Sequence, residues 1–180
     1  MKTLRPEDIQ AIAEYRKTWG PGPFETADCV ILHRNAVLLV VRDDPPLAGT
    51  WASPGGFVDK GERPYMTALR ELVEETNFRL KVGRTTILGL DGILRHIERA
   101  CVGQFRKEGP DRDPRAHINT TVFVFDLDRI GVIDRPVVKP ADDAREAGWK
   151  EFAEVPSLDT YADHEQIVAQ AVALARPKAD

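Results

Sequence analysis

The chain has little cysteine, no excess of positive charge and no long run of apolar residues. Its 180 residues include two cysteines, Cys29 and Cys101, which lie far apart and outside any CxxC pattern. Such cysteines cannot form a disulfide framework or a zinc site built from cysteine pairs, so we expect buried free thiols. No apolar run approaches the roughly 18 residues that a membrane-spanning helix needs, and no apolar signal segment follows Met1. We therefore expect a cytoplasmic protein without membrane contact.

The charge balance limits the partners that the chain can hold. Lys and Arg together number 25 against 29 Asp and Glu, which gives a formal net charge of −4 at pH 7. A protein that binds nucleic acid through many phosphate contacts normally carries an excess of Lys and Arg. We therefore expect no nucleic-acid partner. A small phosphate-bearing ligand would need a few local arginines or a divalent metal ion to offset its charge.

Composition and the positions of proline and glycine indicate one globular domain of mixed secondary structure. Hydrophobic residues make up 42% and charged residues 30% of the chain, as in ordinary globular proteins. The residue patterns predict helices at 6–19, 63–76 and 163–174, strands at 27–33, 36–42, 84–90, 117–127 and 148–152, and a long mixed segment at 91–114. Strands interspersed with helices are typical of α/β or α+β folds with a mixed sheet.

Three carboxylates share one face of the predicted helix at 63–76. On a helical wheel, Glu75 and Glu74 lie about 40° and about 60° from Glu71, opposite the apolar residues. One interpretation is a solvated acidic face. However, like charges at these spacings repel each other, the helix macrodipole disfavours anions near the C-terminus, and only Arg70 is nearby to compensate. A bound cation explains the cluster better, and carboxylate oxygens suit Mg²⁺ or Mn²⁺.

The spacing around these acids resembles a known signature. Five residues separate Gly56 from Glu62, seven separate Glu62 from Arg70, and the chain continues Glu71-Leu72-Val73-Glu74-Glu75-Thr76-Asn77-Phe78. This arrangement resembles the Nudix box, GX5EX7REUXEEXGU, of hydrolases that cleave nucleoside diphosphates linked to another group. Asn77 alone departs from the signature, at a position where the family usually has glycine. Because Asn tolerates the left-handed backbone of a helix C-terminus best after Gly, we expect Asn77 to adopt that conformation.

The resemblance implies a fold and a domain boundary. The expected fold is the Nudix fold, an α/β/α sandwich around a mixed β-sheet. The hydrolase domain would occupy 24–180, after an N-terminal helix and linker at 1–23. Within it, Glu62 and Arg70 would pair with each other and orient the loop against the helix.

The resemblance also implies a metal site on the helix. Glu71 and Glu75 would coordinate Mg²⁺, with Mn²⁺ as an alternative. Glu74 would help to hold the metal or its water, and the backbone carbonyl of Gly55 would complete the shell. A metal bound in this way would mask the charge of a diphosphate and activate water for attack on phosphorus.

Residues outside the box resemble the ADP-ribose pyrophosphatase branch of the family. Its R-P-G-W-PGGF run is matched by Arg42, Pro46, Gly49, Trp51 and 54–58, and its RDPR segment by 111–115. Segments at 14–19 and 163–165 resemble the Nudix half of bifunctional nicotinamide-mononucleotide adenylyltransferase and ADP-ribose pyrophosphatase proteins. The chain leaves no room for the adenylyltransferase half, so we expect a stand-alone relative or one half of a longer protein.

Several side chains outside the box are candidates for binding substrate. The resemblance includes Arg42, and the rigid guanidinium of Arg112 or Arg115 suits phosphate or a terminal ribose phosphate. Both of the latter arginines could instead be solvated loop charges. Trp51 and Phe105 are candidates for stacking on adenine, with packing as the alternative.

The sequence does not single out a general base. The acids of the long segment are Glu98, Glu108, Asp111 and Asp113. A glutamate of the box is a further alternative. We expect His117 and His164 to be packing or capping residues, and Asp163 to cap the last helix.

Together these observations predict an Mg²⁺-dependent enzyme that hydrolyses the diphosphate bond of ADP-ribose to AMP and ribose 5-phosphate. Two alternatives stay open at this point. One is hydrolysis of another nucleoside diphosphate derivative or a nucleoside triphosphate, and the other is a non-catalytic ADP-ribose-sensing domain. Because all three box glutamates are retained, catalysis is favoured. Relatives commonly form dimers, so a homodimer is a further expectation.

Overall fold

Helices and strands alternate along the chain. The computed structural model describes residues 3–82, 85–87 and 89–177. Its helices are α1 (Pro6–Trp19), α2 (Pro64–Thr76), α3 (Gly89–Ile97) and α4 (His164–Ala175). Its strands are β1 (Phe24–His33), β2 (Ala36–Arg42), β3 (Trp51–Ala52), β4 (Gly55–Phe57), β5 (Leu80–Val82), β6 (Thr85–Ile87), β7 (Cys101–Lys107), β8 (Ile118–Asp126) and β9 (Ala144–Glu151). No helix in these ranges is both long and apolar enough to cross a membrane.

The main sheet is mixed, as the sequence predicts. Its strand order is β3-β2-β1-β8-β7, with β4 paired to β1 and β9 paired to β2. The β1 and β8 strands run parallel, whereas the other pairs of this sheet are antiparallel. Strand β1 meets β2 only at Leu32 and His33, and its earlier part pairs with β4 through Asp28 and Gly55. Strands β1 and β2 therefore separate where β4 pairs with β1.

Apolar residues cover both faces of the main sheet. Because side chains alternate along a strand, Cys29 and Ile31 of β1 face a core that includes Leu69 of α2. The intervening Val30 and Leu32 face a second core that includes Ile167, Val168 and Ala171 of α4. Helices on both faces of a mixed sheet make an α/β/α sandwich, which confirms the predicted fold class. Both cysteines are free thiols, although Cys101 is only half-buried.

The sequence of α2 accounts for its start and its end. Pro64 occupies the first turn, where a missing N–H costs nothing. Leu69 and Leu72 are fully buried. The helix ends at Asn77, which has left-handed dihedrals of φ 45° and ψ 40°, and whose N–H donates to the Val73 carbonyl at 2.9 Å. The expected backbone conformation of Asn77 is confirmed.

Two predicted boundaries are wrong. The strand predicted at 84–90 is limited to Thr85–Ile87, because α3 already begins at Gly89; residues 84 and 88 lie outside the described ranges. Leu90, Ile93, Leu94 and Ile97 share one core, and their i, i+3, i+4, i+7 spacing is helical. The last predicted strand starts earlier, at Ala144, since pairing with β2 extends along its length.

Substitution of Asn77 tests the backbone of the helix end. Asn77→Ala should lower the free energy of unfolding by about 1 kcal/mol, because alanine lacks the short polar side chain whose local hydrogen bonding lets asparagine tolerate the left-handed region. Asn77→Gly should leave it within about 0.5 kcal/mol of wild type or raise it, since glycine adopts this conformation without strain. Urea denaturation of the three proteins measures the difference. Equal stability of the alanine and glycine variants would contradict the argument.

Candidate active site

A cleft of about 320 Å³ opens where β1 and β2 separate around β4. Its lining includes the acids of α2, Glu71 and Glu75, together with Arg70. It also includes three arginines, Arg42, Arg112 and Arg115, which we call the arginine wall. The fold therefore brings the two oppositely charged groups predicted from the sequence to one cleft.

Two consecutive glycines allow the acids to lie against the backbone of β4. A β-carbon on Gly56 would overlap the carboxylate of Glu71, and one on Gly55 would overlap the carboxylate of Asp28. The Gly55 N–H donates to Oε2 of Glu75 at 3.1 Å. Any side chain at either glycine would displace these carboxylates. The two glycines therefore serve close approach to the acids of the cleft.

Arg70 connects the loop after β4 to α2. Its guanidinium donates to both oxygens of Glu62, at 3.1 Å and 3.0 Å. It also donates to Glu71 at 2.7 Å and Glu74 at 2.8 Å, and to the Phe57 carbonyl at 3.2 Å. Hydrogen bonds from Arg70 lower the pKa of Glu62 to about 2. The structure therefore contains the predicted contact between Glu62 and Arg70.

The two acids at the cleft floor lack sufficient positive charge. Burial raises the pKa of Glu71 to about 7, against the attraction of Arg70. Burial also raises the pKa of Glu75 well above its usual value, and repulsion from Asp143 and Glu71 adds to the shift. Glu75 is only 6% exposed, so it lies in the floor of the cleft rather than on a solvent-facing helix surface. Glu74 is exposed.

These acids fit a hard divalent cation. Among the described residues, no three His, Cys, Asp or Glu side chains converge as a ready-made metal cluster. One half-buried and one buried carboxylate, Glu71 and Glu75, whose pKa values burial raises, nevertheless line one cleft. Mg²⁺ usually binds through one or two carboxylates, with substrate phosphates and water as its other ligands. The donor chemistry of these two acids is therefore compatible with a hard divalent cation.

Asp113, an acid outside α2, orients Arg115 of the arginine wall. Arg115 donates through Nε and Nη2 to the two oxygens of Asp113, at 3.0 Å and 2.9 Å. The Tyr161 hydroxyl donates to the same carboxylate at 3.0 Å, and the Arg42 guanidinium lies 4.4 Å from the centre of the Tyr161 ring. Burial opposes ionisation of Asp113, but the hydrogen bonds from Arg115 outweigh it and lower the pKa of Asp113.

The two aromatic residues predicted to stack on a base lie elsewhere. Neither Trp51 nor Phe105 is among the described residues that line the cleft. Both pack against the core beneath α4, which agrees with the packing alternative. Phe57 and Tyr161 do line the cleft. Phe57 is 37% exposed, and its ring lies 6.4 Å from that of Tyr15 at an interplanar angle of 19°. Its position directly after Gly55 and Gly56 is the sequence feature that could have identified Phe57 as a residue of the cleft.

The acids considered as general bases are mostly remote from the cleft. Of the four in the long segment, Asp113 alone lines it in the described structure, and Arg115 and Tyr161 already occupy its oxygens. Asp142 and Asp143 do line the cleft. The Ala141 N–H holds their loop on α2 by donating to the Glu75 carbonyl at 2.9 Å. Nothing in the sequence around these two aspartates distinguishes them from other acids in polar loops.

The sequence patterns do not single out Asp28 either, because an acid within an otherwise buried strand belongs to no recognisable motif. It is 6% exposed, and burial raises its pKa to about 6, against the attraction of Arg112. Asp163 does not cap α4 with its side chain, and instead lies 3.6 Å from Arg112. The expected cap is therefore wrong, because the arginine provides a stronger partner for this carboxylate.

The histidines take structural positions. His164 is buried and its Nδ1 accepts from the Ser53 N–H at 3.0 Å. Burial lowers the pKa of His164 to about 3, so the ring is neutral near pH 7. His117 is half-buried and its Nε2 lies 3.1 Å from Oδ1 of Asn119. Packing and hydrogen bonding account for both residues, as the sequence predicts.

The fold and the cleft define an α/β/α protein with an acidic helix and an arginine wall at one cleft. The family model described as NUDIX domain matches residues 23–171. The chain therefore belongs to the Nudix family of hydrolases.

Named relatives are consistent with this assignment. The chain is 34% identical to "ADP-ribose pyrophosphatase" of Methanocaldococcus jannaschii, over 81% of this chain and 71% of that protein. It is 27% identical to an "ADPR responsive transcriptional repressor" of Acinetobacter baylyi, over 90% of this chain and 58% of that protein.

A solved structure shows the same fold. The bifunctional NMN adenylyltransferase/ADP ribose pyrophosphatase of Francisella tularensis, complexed with AMP and a manganese ion, superposes with a TM-score of 0.80 and 25% identity. The match covers 92% of this chain and 46% of that one. The chain thus spans about half the length of the bifunctional protein.

The Asp113 carboxylate should contribute stability that depends on pH. Asp113→Asn should lower the free energy of unfolding at pH 7 by roughly 3 kcal/mol, because it removes one partner of a buried ion pair. A depressed folded-state pKa adds stability above the unfolded pKa of about 3.9, and that stability is lost as pH falls through the folded pKa. The difference from wild type should therefore shrink below about pH 4.

Urea denaturation between pH 7 and pH 3 measures this difference. Asp111→Asn, an exposed change in the same loop, is the control and should track wild type throughout. A constant difference between wild type and Asp113→Asn at all pH values would refute the assigned ionisation.

Proposed function

We propose that this chain hydrolyses the diphosphate bond of ADP-ribose with Mg²⁺, releasing AMP and ribose 5-phosphate. The observation that carries the proposal is that Glu71 and Glu75 line the same cleft as Arg42, Arg112 and Arg115. A diphosphate linking two ribosyl groups needs both a site for bridging metal and donors for its flanking groups. Similarity to proteins named for ADP-ribose supports this substrate.

The metal would be held by Glu71, Glu75 and the Gly55 carbonyl, with Glu74 holding a ligating water. When bound, Mg²⁺ or Mn²⁺ masks phosphate charge and lowers the pKa of a coordinated water. Arg70 keeps Glu71 and Glu74 oriented through its hydrogen bonds at 2.7 Å and 2.8 Å. The pair of Arg70 with Glu62 supports this arrangement from the loop side.

Hydrolysis requires a water oxygen to bond to one phosphorus while the bridging P–O bond breaks and the other phosphate leaves. A base must accept the proton of that water. Asp142 and Asp143 are the candidates that the cleft offers, because both line it beside the acids of α2. Phe57 offers an exposed aromatic face for the nucleobase, and the arginines bind the groups flanking the diphosphate.

A substrate panel tests the proposal. Incubation with Mg²⁺ and ADP-ribose, NADH, dinucleoside polyphosphates or dNTPs, followed by separation of products, should show highest turnover with ADP-ribose and release AMP with ribose 5-phosphate. EDTA should abolish that turnover. Preference for another member would assign the chain to a different nucleoside diphosphate derivative or triphosphate. Binding of ADP-ribose without turnover of any member would instead establish a sensing domain.

Substitution of Glu75 tests the metal site. Glu75→Gln should lower kcat by more than the roughly 10–100-fold that loss of a supporting group costs, because a neutral amide is a poor ligand for a hard cation. Folding should be retained, since Gln keeps the oxygen that accepts from the Gly55 N–H. Glu165→Gln, an exposed change on α4, is the matched control and should leave kcat unchanged. Near-normal kcat and metal affinity in Glu75→Gln would remove Glu75 from the ligand set.

A further inference from the structure

Four buried polar atoms on residues of the cleft lack a hydrogen-bond partner. They are Oδ2 of Asp28, Nε of Arg42, Oγ of Ser53 and Nε of Arg112. Buried side-chain polar atoms in folded proteins are normally satisfied, so each exception calls for an explanation. Eight such atoms occur in the described residues, and half of them belong to this one cleft. Two of the other four, Oγ1 of Thr120 and Oδ1 of Asp163, belong to neighbours of Asp28 and Arg112. The unpaired atoms thus form one group at the cleft, where a ligand or water can reach them.

Strand pairing and chain position bring two of these residues, Asp28 and Ser53, close to Gly55. Asp28 is the register partner of Gly55, and Ser53 lies two residues before that glycine. The Glu71 carboxylate lies against the next residue, Gly56. The exposed ring of Phe57 follows in β4. Because side chains alternate along a strand, Asp28 and Phe57 lie on one face of β4 and the Glu71 carboxylate lies on the other. We call the part of the cleft around the four buried atoms its polar end.

The donors and acceptors at the polar end fit hydroxyl groups. A carboxylate such as that of Asp28 can only accept hydrogen bonds when ionised, whereas Arg42 and Arg112 can only donate. A hydroxyl group does both, so vicinal hydroxyls can satisfy the two kinds of group together. A phosphate would pair with the arginines but would face repulsion from Asp28. A nucleobase would need an aromatic face, and Arg42 already covers the Tyr161 ring at 4.4 Å.

We propose that Asp28 is the specificity-determining residue of the polar end, where it accepts hydrogen bonds from the terminal-sugar hydroxyls of the substrate and rejects a phosphorylated sugar. This inference rests on the proposed function, since it assigns the terminal ribose of ADP-ribose to that end. Arg42, Arg112 and Ser53 donate to the same sugar. The diphosphate then lies at Glu71 and Glu75.

Kinetics with two substrates test the role of Asp28. Wild type should hydrolyse ADP-ribose with a kcat/KM at least about 100-fold above that for ADP-ribose 1″-phosphate, because the latter places a phosphate beside a buried carboxylate. Asp28→Asn should lower kcat/KM for ADP-ribose by about 10–100-fold. It should also reduce the preference for the unphosphorylated sugar at least tenfold, since the repelling charge is gone.

A matched control separates specificity from stability. Asp126 is buried to the same extent as Asp28, with 6% exposure for each, but it does not line the cleft among the described residues. Asp126→Asn should therefore leave the substrate preference unchanged even if its melting temperature falls. Wild-type preference in Asp28→Asn, or no preference in wild type, would overturn the proposal.

Two further measurements cover the remaining outcomes. If Asp28→Asn does not fold, Ser53→Ala removes another unpartnered atom of the polar end, and unchanged kcat/KM for ADP-ribose in this variant would count against the sugar site. If wild type does not hydrolyse ADP-ribose, the proposed function fails. The role of Asp28 is then tested separately, by calorimetric comparison of the affinities for ADP-ribose and for ADP-ribose 1″-phosphate. Tighter binding of ADP-ribose than of its phosphate supports the proposal, whereas equal binding or none of either overturns it.

Discussion

Close contact between the acids of α2 and the backbone of β4 is the constraint on which the cleft depends. The Glu71 carboxylate lies against Gly56, where a β-carbon would displace it, and Glu75 accepts a hydrogen bond from the Gly55 N–H. Burial of these two carboxylates in their charged form is unfavourable, and it raises the pKa values of both Glu71 and Glu75. Burial of the apolar face of the same helix offsets this cost. The glycines and the helix therefore form one unit, and neither holds the acids in position alone.

The second organising feature is the presence of both acids and arginines in the cleft. Arg70 is saturated by Glu62, Glu71 and Glu74, so it serves these acids rather than a ligand. In the arginine wall, Asp113 holds Arg115 through two hydrogen bonds. Nε of Arg42 and of Arg112 remains without a partner. Arg115 is therefore held in place by its hydrogen bonds, whereas Arg42 and Arg112 each keep a donor that is available to a ligand.

Much of the site followed from spacing along the sequence. The acids of α2, the glycine turn and the helix end at Asn77 are close in the chain, so helical periodicity and turn chemistry are enough to relate them. The arginines were found through resemblance, and the fold does bring them to the cleft. Asp28, Asp142 and Asp143 could not be found in this way. Asp28 reaches the cleft through the strand register with β4, and the other two through a loop that returns to α2.

The two residues predicted to stack on adenine likewise show that sequence alone does not decide which side chains face the cleft. Trp51 and Phe105 carry the right chemistry, but strand alternation turns both toward the core beneath α4, whereas Phe57 remains at the cleft. By itself, the sequence determined the acidic helix face, its glycine turn and the left-handed helix end, because these depend on local geometry. Tertiary structure alone decided which distant acids and aromatics face the cleft, because only the pairing of β1, β2 and β4 sets which side of each strand meets α2.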